Sequence, residues 1–277
     1  MTSGKNSAPP VYLVTGANAG IGYEIVRGLA KLATTPHVIL GCRDGAKGEA
    51  ARAAIARETG NPNLEVLVVD TSNHASMDKA ANEFAGKHAM LDALVNNAGM
   101  SSPARRESVH GIEVTFATNV VGYFIMTNLF LDALKRAPQG RIVNVASEMA
   151  YGLDLDDVEF QMRTYNASTA YAQSKQADRM LTWAYARRLA GTSVTANAMS
   201  PGPVDTPLLH ALAPGMKGRT REKGAETVIW LASSPELNGV TNKLWFDKAE
   251  RACKFHNVEQ EEKLWKICEE LAAKGKA

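Results

Sequence analysis

The architecture of this chain is set near its N-terminus by the run Val11-Tyr-Leu-Val-Thr-Gly-Ala-Asn-Ala-Gly-Ile-Gly22. Val11–Thr15 predicts a buried strand, which leads directly into a turn that contains Gly16, Gly20 and Gly22. Glycine in this turn lets a pyrophosphate approach the backbone, and the helix that follows offers unpaired N–H groups to the phosphates. The position of the turn, after a strand and at the start of a helix, favours a dinucleotide site over a glycine-rich turn without a ligand.

Short apolar runs alternate with longer segments of helical periodicity along the rest of the chain. The predicted strands are Val11–Thr15, His37–Gly41, Leu64–Val69, Leu91–Asn96, Arg141–Ala146 and Ser193–Ala198, with Lys243–Phe246 as a weaker last one. The predicted helices are Gly20–Ala33, Gly45–Thr59, Ala75–His88, Val109–Arg136, Thr169–Ala190 and Arg221–Ser233. This order predicts an α/β fold, a single Rossmann-type doubly wound parallel sheet of about seven strands with helices on both faces.

No linker interrupts this pattern, so we expect residues 1–277 to form one domain. Residues 1–10 predict a flexible N-terminus. Residues 249–277 predict a helical tail, whose amphipathic part Glu259–Lys274 docks on the body or on a partner chain.

Two long segments lack clear periodicity, the acidic Glu148–Asn166 and the Pro- and Gly-rich Ser200–Thr220. Both follow carboxyl ends of predicted strands, where open α/β sheets bind ligands, so we expect them to be binding loops. Apolar residues near these loops suit either a substrate pocket or packing within the loops: Met100, Met149, Tyr151, Leu153, Leu208 and Leu209.

Composition limits the class of protein. A net charge of +2 without a Lys/Arg block argues against nucleic acid as a partner. Three cysteines without a Cys-x-x-Cys pair, together with six scattered histidines, favour a reducing compartment over disulfides or a metal site. The N-terminus has no signal-like apolar run, and no stretch of about 18 apolar residues occurs, so we expect a cytoplasmic protein without a membrane span.

The end of the second predicted strand is where dinucleotide proteins distinguish the two cofactors. An acidic residue there favours the free 2′-hydroxyl of NAD(H), and an arginine accommodates the 2′-phosphate of NADP(H). Arg43 and Asp44 stand side by side at this point. We favour Arg43 as a bidentate phosphate ligand, and hence NADP(H) over NAD(H). The alternative is that Arg43 only covers the surface beside Asp44.

Tyr171 and Lys175 lie four residues apart in a predicted helix, so their side chains share one face, one turn apart. A free tyrosine has a pKa of about 10 and is a poor acid at neutral pH. A cation held within a few ångströms of a phenol typically lowers its pKa by about 1 to 3 units. The pair therefore suits general acid–base chemistry, although the same spacing also arises by chance on a solvated helix face.

Taken together, these and several further motifs resemble the short-chain dehydrogenase/reductase family, over about Val11 to Phe246. The motifs occur in the order of the family: Thr15-Gly-x-x-x-Gly-Ile-Gly22, Asp70, Asn96-Asn-Ala-Gly99, Asn119, Ser147, Tyr171-x-x-x-Lys175 and Pro201-Gly202. The segments Cys42-Arg-Asp44 and Tyr171-Ala-Gln-Ser-Lys175 look most similar to the retinol-dehydrogenase-like and carbonyl-reductase-like branches, many of which use NADPH.

The resemblance implies roles for individual residues. Ser147 would hydrogen-bond the substrate oxygen, Tyr171 would protonate it, and Lys175 would bind the nicotinamide ribose and activate Tyr171. Asn119 would hold a water that links Lys175 to solvent, unless it is a polar residue satisfied in the core. Asp70 would contact the adenine ring, and Asn96 would line the cofactor. The full cofactor-binding set implied is Gly16, Asn18, Gly20, Ile21, Gly22, Arg43, Asp70, Asn97, Ala98, Gly99, Tyr171, Lys175, Pro201, Gly202, Val204 and Thr206.

The resemblance therefore predicts an NADP(H)-dependent oxidoreductase that transfers a hydride between the nicotinamide and the carbon of an apolar carbonyl or alcohol. Two alternatives stay open, an NAD-dependent alcohol dehydrogenase and a non-catalytic NADP-binding sensor or scaffold of the same fold. The family favours dimers and tetramers. The stretch between Ser147 and Tyr171 is longer than in many relatives, and it could obstruct the helix face used for dimers and leave a monomer.

Overall fold

The computed structural model describes residues 8–275, so most of the predicted flexible N-terminus lies outside the described residues. Eight strands form one sheet in the order β3-β2-β1-β4-β5-β6-β7-β8. Strands β1 to β7 pair in parallel, and β8 pairs with β7 in the antiparallel sense. Their bounds are β1 Val11–Thr15, β2 His37–Cys42, β3 Leu64–Val68, β4 Ala93–Asn96, β5 Arg141–Val145, β6 Thr195–Met199, β7 Leu244–Phe246 and β8 Ala249–Arg251.

The strand order confirms the predicted doubly wound α/β fold and indicates where a ligand can bind. Strand β1 lies between β2 and β4, and the later strands continue outward on the side of β4. The crevice outside the carboxyl ends of the strands at such a reversal is the usual ligand site of open α/β sheets. Strand β8 adds one strand to the predicted number. All of its residues are exposed, so it carries no apolar pattern that a sequence could reveal.

Helices cover both faces of the sheet. Successive residues of β1 point to opposite faces, with Leu13 in an apolar core shared with α3, α5 and α6, and Val14 in a core shared with α1, α2 and α8. Both cores explain why the strands are apolar without alternation. The bounds are α1 Gly20–Ala30, α2 Gly45–Thr59, α3 His74–Ala85, α4 Val114–Phe116, α5 Gly122–Arg136, α6 Ala167–Arg188, α7 Pro207–Leu212, α8 Arg221–Ser233 and α9 Val258–Ala273.

The predicted helix Val109–Arg136 begins later than expected. Gly111 has a positive φ of 70°, and helix α4 starts only after Glu113, whose carboxylate caps it by accepting from the N–H groups of Thr115 and Phe116. A π-helical turn, Ala117–Val121, then connects α4 to α5. By length and composition this run is the one helix among residues 8–275 that could cross a membrane, and 72% of its apolar window is buried inside the fold.

The tail differs in part from the prediction, because its first residues form β8 rather than helix. The amphipathic part is helical, and α9 packs its buried residues Leu264, Cys268 and Leu271 onto the core that contains α5 and α6. Trp265 of α9 contacts Phe124 and Tyr185 edge-on, with ring centroids 4.9 and 4.8 Å apart. The tail helix therefore docks on the body of its own chain.

We predict that Leu264→Ala lowers the free energy of unfolding by about 2 to 5 kcal/mol, because it leaves a cavity under α9 where Leu264 is fully buried. Chemical denaturation of the purified variant measures this loss. Val258→Ala is the matched control, since Val258 is 58% exposed at the start of the same helix, and we expect a change within about 0.5 kcal/mol. Equal effects in the two variants would contradict the docking of α9.

Candidate active site

A cleft of about 430 Å³ opens at the carboxyl ends of β1 and β4. The glycine turn after β1, the segments after β2, β3 and β4, and the start of α7 form its walls. The structure brings together most of the predicted cofactor-binding residues here: Gly16, Asn18, Gly20, Ile21, Gly22, Arg43, Asp70, Asn97, Ala98, Gly99 and Thr206.

The glycine turn has space only for hydrogen at two positions. A Cβ on Gly16 would lie 2.9 Å from the Cα of Ala98, and one on Gly22 would lie 2.2 Å from the carbonyl oxygen of Gly16. Gly16 and Gly20 also have positive φ values of 67° and 60°, which favour glycine. Helix α1 begins at this turn without a side-chain cap on its N-terminus, so its first N–H groups fit the phosphates of a dinucleotide.

Thr15 joins the ends of β1 and β4 at the base of the cleft. Its hydroxyl oxygen accepts hydrogen bonds from the backbone N–H groups of Asn97 and Ala98, both at 3.0 Å. The side-chain amide of Asn97 in turn donates to the carbonyl oxygen of Thr15 at 2.8 Å. The loop after β4 is thereby fixed beside the glycine turn.

Asn96 does not line the cleft, which corrects the prediction for this residue. Its side chain is fully buried and donates to Thr127 Oγ1 at 3.1 Å and to Asn144 Oδ1 at 2.9 Å. Alternate residues of a strand point to opposite sides, and the amide of Asn96 points into the core that contains α5. The next residue, Asn97, takes the position at the cleft.

Arg43, Asp44 and Lys47 form the wall where the adenosine ribose is expected. The Asp44 carboxylate caps α2 by accepting from the N–H of Lys47 at 3.1 Å, and this hydrogen bond holds the pKa of Asp44 below its ordinary value. The Lys47 ammonium lies 3.7 Å from the same carboxylate. Among residues 8–275 no carboxylate pairs with the Arg43 guanidinium, which lines the cleft. Asp44 is thus engaged with its helix and with Lys47, and Arg43 is the cation of this wall without a carboxylate partner among the described residues.

Asp70 lines the cleft after β3 and is held by its own turn. Its Oδ1 accepts from the N–H of Ser72 at 2.9 Å and from the Ser72 hydroxyl at 2.7 Å. The neighbours Val69 and Thr71 also line the cleft. The contact with adenine stays a prediction.

Asn119 lies in the π-helical turn, fully buried. Its Oδ1 accepts from the N–H of Met100 at 2.9 Å, and its amide donates to the carbonyl of Met100 at 3.0 Å and to Ser174 Oγ at 2.9 Å. Both amide hydrogens are therefore used within the protein, as the core alternative predicted. Asn119 fixes Met100 at the cleft wall. The predicted water between Asn119 and solvent stays a prediction.

Lys175 is buried between α6, β5 and Tyr123. Its ammonium donates to the carbonyl oxygen of Val145 at 2.9 Å and to Asp178 Oδ2 at 2.8 Å. It lies 5.1 Å from the ring centroid of Tyr123 and 5.9 Å from that of Tyr171. A Cβ on the cleft residue Gly99 would lie only 3.7 Å from the ammonium nitrogen. The sequence did not single out Asp178, although its spacing of three residues from Lys175 was visible.

Burial shifts the ionisation of this group of side chains. Burial opposes the charged form of Lys175, but the Asp178 carboxylate and the nearby phenols outweigh it and hold the pKa of Lys175 above its ordinary value. Burial raises the pKa of Asp178, and Lys175 opposes that shift. Burial also raises the pKa of Tyr123. The ammonium is therefore kept charged beside Tyr171.

Ser147 follows β5 and is half-buried. Its hydroxyl oxygen accepts from the N–H of Met149 at 3.1 Å, and its carbonyl oxygen accepts from the guanidinium of Arg179. Arg179 lies one turn after Lys175 on α6, so two cations of this helix bind carbonyls at the end of β5. Ser147 and Tyr171 are outside the residues that line the cleft, and their catalytic roles stay predictions.

The loop 200–220 is folded rather than irregular, and it contains α7. Thr206 lines the cleft and caps α7, and its methyl group would lie 3.6 Å from a Cβ on Gly20. Pro201, Gly202 and Val204 are not among the residues that line the cleft. Val204 is instead buried under α8, so close that a Cβ on Gly224 would clash with it.

The segment 148–166 is also held by internal hydrogen bonds. Buried Asp157 accepts from the backbone N–H groups of Gln161, Met162 and Arg163, at 2.7 to 3.1 Å. Of the predicted apolar lining residues, Met100 and Leu208 line the cleft, whereas Tyr151 is 47% exposed and lies elsewhere. Met149, Leu153 and Leu209 are also outside the cleft lining.

Several cleft residues were not predicted from the sequence. Lys47 could have been predicted, because it is a second cation four residues after Arg43, in the first turn of α2. Thr118 had none, since only the π-helical turn brings it to the wall. The other additions are Ala19, Asp44, Val69, Thr71 and Pro207.

Comparison with known proteins agrees with this geometry. Residues 10–217 match the family model described as short chain dehydrogenase. Human retinol dehydrogenase 14 is 35% identical over 286 residues, which span 93% of this chain and 84% of that protein.

Solved structures show the same similarity. An uncharacterized protein from Mycobacterium paratuberculosis superposes with a TM-score of 0.78 at 28% identity, covering 96% of this chain and 95% of that one. A protein from Beutenbergia cavernae, described as an NAD(P)-dependent gluconate 5-dehydrogenase and solved with bound NADP at low occupancy, has a TM-score of 0.69 at 28% identity. That match covers 86% of this chain and 95% of the other.

We predict that Gly16→Ala weakens dinucleotide binding by about tenfold or more, because its methyl group displaces Ala98; a loss of about 1.4 kcal/mol corresponds to that factor. Gly60→Ala is the matched control. Gly60 has a similar positive φ of 71° at the end of α2, but nothing lies within 4 Å of its Cβ position. Quenching of protein fluorescence by NADPH measures affinity, and thermal unfolding measures the strain of about 1 to 2 kcal/mol common to both variants. Equal NADPH affinities in the two variants would argue against the glycine turn as the phosphate site.

Proposed function

Because the chain belongs to the short-chain dehydrogenase/reductase family of NAD(P)-dependent oxidoreductases, we propose that it interconverts a carbonyl and an alcohol with NADP(H). One observation carries the proposal: the ammonium of Lys175 lies against Gly99 of the cleft and within 5.9 Å of the Tyr171 ring. The charged donor thus lies against the cleft wall, and the phenol lies beside that donor, behind the residues that line the cleft.

The glycine turn and helix α1 would hold the phosphates of the cofactor, and Lys175 would meet its nicotinamide ribose. The bound cofactor supplies or accepts the hydride. The Tyr171 hydroxyl delivers a proton to the substrate oxygen in reduction and removes it in oxidation. The Ser147 hydroxyl donates a hydrogen bond to the same oxygen. Stabilisation of a developing oxyanion by such donors is commonly worth about 3 to 4 kcal/mol per donor.

Arg43 supports NADP(H) as the preferred cofactor. Its guanidinium has no carboxylate partner among the described residues, and Lys47 stands next to it at the cleft. A 2′-phosphate would give Arg43 a charged partner and Lys47 a second one besides Asp44, whereas the Asp44 carboxylate that could accept a 2′-hydroxyl already caps α2. NADP bound to the Beutenbergia cavernae protein supports the same preference.

The substrate class we propose is an apolar carbonyl or alcohol. Met100 and Leu208 give the cleft an apolar wall, and the human relative is named for retinol, an apolar alcohol. A panel of apolar ketones, aldehydes and alcohols, followed by NADPH absorbance, tests the activity. NADPH binding without turnover on any member would favour the sensor or scaffold alternative, and turnover only with NADH would favour the NAD-dependent one.

We expect Tyr171→Phe to lower kcat by roughly 10²- to 10⁴-fold, because the proton donor is lost, while NADPH affinity stays within about threefold. Tyr151→Phe is the matched control, since Tyr151 is 47% exposed away from the cleft, and it should retain the wild-type rate. Steady-state kinetics and fluorescence titration give the two values. Turnover by Tyr171→Phe at the wild-type rate would exclude the catalytic role of the phenol.

We expect Arg43→Ala to weaken NADPH binding by about 10- to 100-fold and to leave NADH binding unchanged, since a hydrogen bond to a charged group contributes about 1.5 to 3 kcal/mol. Arg52→Ala is the control. Arg52 lies on α2 outside the cleft and pairs with Glu49 at 2.7 Å. Titration of each variant with both nucleotides provides the measurement. A parallel loss of both affinities would show that Arg43 does not select the phosphate.

A further inference from the structure

Asp178 is a buried carboxylate that the proposed mechanism leaves without a role. Its side chain is completely buried on α6, three residues after Lys175. Oδ2 accepts from the Lys175 ammonium at 2.8 Å, whereas Oδ1 has no hydrogen-bond donor among the described residues. A buried charge is costly unless it is paired, so Asp178 depends on Lys175 for its ionised form.

The ammonium of Lys175 has three N–H donors. Two are used by the Val145 carbonyl oxygen and Asp178, which leaves one for the cofactor or for Tyr171. Val145 and Asp178 thereby determine where the ammonium lies. A backbone carbonyl carries no net charge, so Asp178 alone also offsets the charge of the lysine.

Few other ionisable groups act on this pair. Tyr123 of α5 and Tyr171 of α6 interact with Lys175, and Cys268 of α9 interacts with Asp178. These three side chains are buried and neutral when protonated. Burial raises the pKa of Cys268, as it does that of Tyr123, so both stay neutral near pH 7. Within residues 8–275, Asp178 is therefore the carboxylate that pairs with the lysine, and Lys175 opposes the rise in its pKa that burial causes.

We propose that Asp178 is a positioning residue that holds the Lys175 ammonium beside the cleft and, by offsetting its charge, sets the pH at which Tyr171 exchanges its proton. The proposal rests on the proposed function for its catalytic meaning. An ammonium that keeps its proton stabilises a phenolate more strongly without a carboxylate partner than with one. Removing the Asp178 charge while keeping a hydrogen-bond acceptor should therefore move the ionisation of Tyr171 to lower pH.

The test is Asp178→Asn, titrated by the near-ultraviolet absorbance of tyrosinate in the purified full-length protein. We expect one tyrosine to ionise at a pH lower by about one unit than in the wild type. The shift should disappear in the double variant with Tyr171→Phe, which assigns it to that phenol. A titration that superimposes on the wild type would overturn the proposal, and so would a shift that persists without Tyr171.

Asp92→Asn is the matched control. Asp92 is a partly buried carboxylate that accepts from the N–H of Val11 at 2.8 Å, at the opposite end of the sheet. Burial and, after it, the Asp92 carboxylate raise the pKa of Tyr12 to about 12. Asp92→Asn should therefore change the ionisation of Tyr12 alone, and that change should persist when Tyr171→Phe is added. If Asp178→Asn does not fold, Asp178→Ser takes its place: it also removes the charge, so the same lower ionisation pH is expected, and a titration that coincides with that of the wild type would overturn the proposal.

The rate of alcohol oxidation against pH gives a second measurement. Its midpoint should move to lower pH in Asp178→Asn by the same amount as the absorbance titration. Turnover in the wild type with neither midpoint shifted would overturn the role of Asp178 and leave the proposed function intact. An absorbance shift in a protein that oxidises no alcohol and reduces no carbonyl would support the role of Asp178 and contradict the proposed function.

Discussion

The hydroxyl of Thr15 holds together the two strand ends between which the cleft opens. It accepts from the N–H groups of Asn97 and Ala98 and donates to the carbonyl of Val95 at 3.3 Å. After β1 the chain turns to α1 on one face, and after β4 it leads to α5 on the other. This divergence creates the crevice. The hydroxyl satisfies N–H groups that the end of the sheet would leave unpaired, and so gives the crevice a fixed base.

The orientation of α6 depends on a second set of polar contacts, inside the core. Asn96 donates to Asn144, Asn144 donates to Thr182 at 2.9 Å, and Thr182 donates to the carbonyl of Asp178 at 2.7 Å. These hydrogen bonds connect β4, β5 and α6 in one line. Because each partner is buried, rotation of α6 would leave several polar groups unsatisfied. The helix therefore keeps the Tyr171 face against β5.

Much of this arrangement was predictable from the sequence, and the parts that were not have identifiable causes. Six strands were predictable because burial on both faces of the sheet produces apolar runs. The glycine turn was predictable because the lack of space for a side chain requires glycine at positions such as Gly16. The later start of α4 was missed because it depends on Gly111 and the Glu113 cap. The π-helical turn has no periodicity of its own.

Side-chain direction was the harder part of the site. Asn96 and Asn97 are adjacent and chemically identical, so composition does not distinguish them. Because successive side chains point to opposite sides, Asn96 at the end of β4 lies in the core and Asn97 lies at the cleft. Segment 148–166 is ordered by Asp157, a single carboxylate that accepts hydrogen bonds from three backbone N–H groups. The acidic composition of this segment predicted a loop. It could not show which acidic side chain is buried.

The docking of α9 has a consequence for how this protein can associate with itself. Trp265 covers the ring of Tyr185, and the Arg188 guanidinium lies 3.8 Å above Trp265 while binding Glu262. The outer surface of α6, together with Phe124 of α5, is thus already covered by α9 of the same chain. A second copy could contact that surface only if α9 detached and its ion pairs broke. A subunit contact that leaves α9 in place therefore has to use a different side of the molecule.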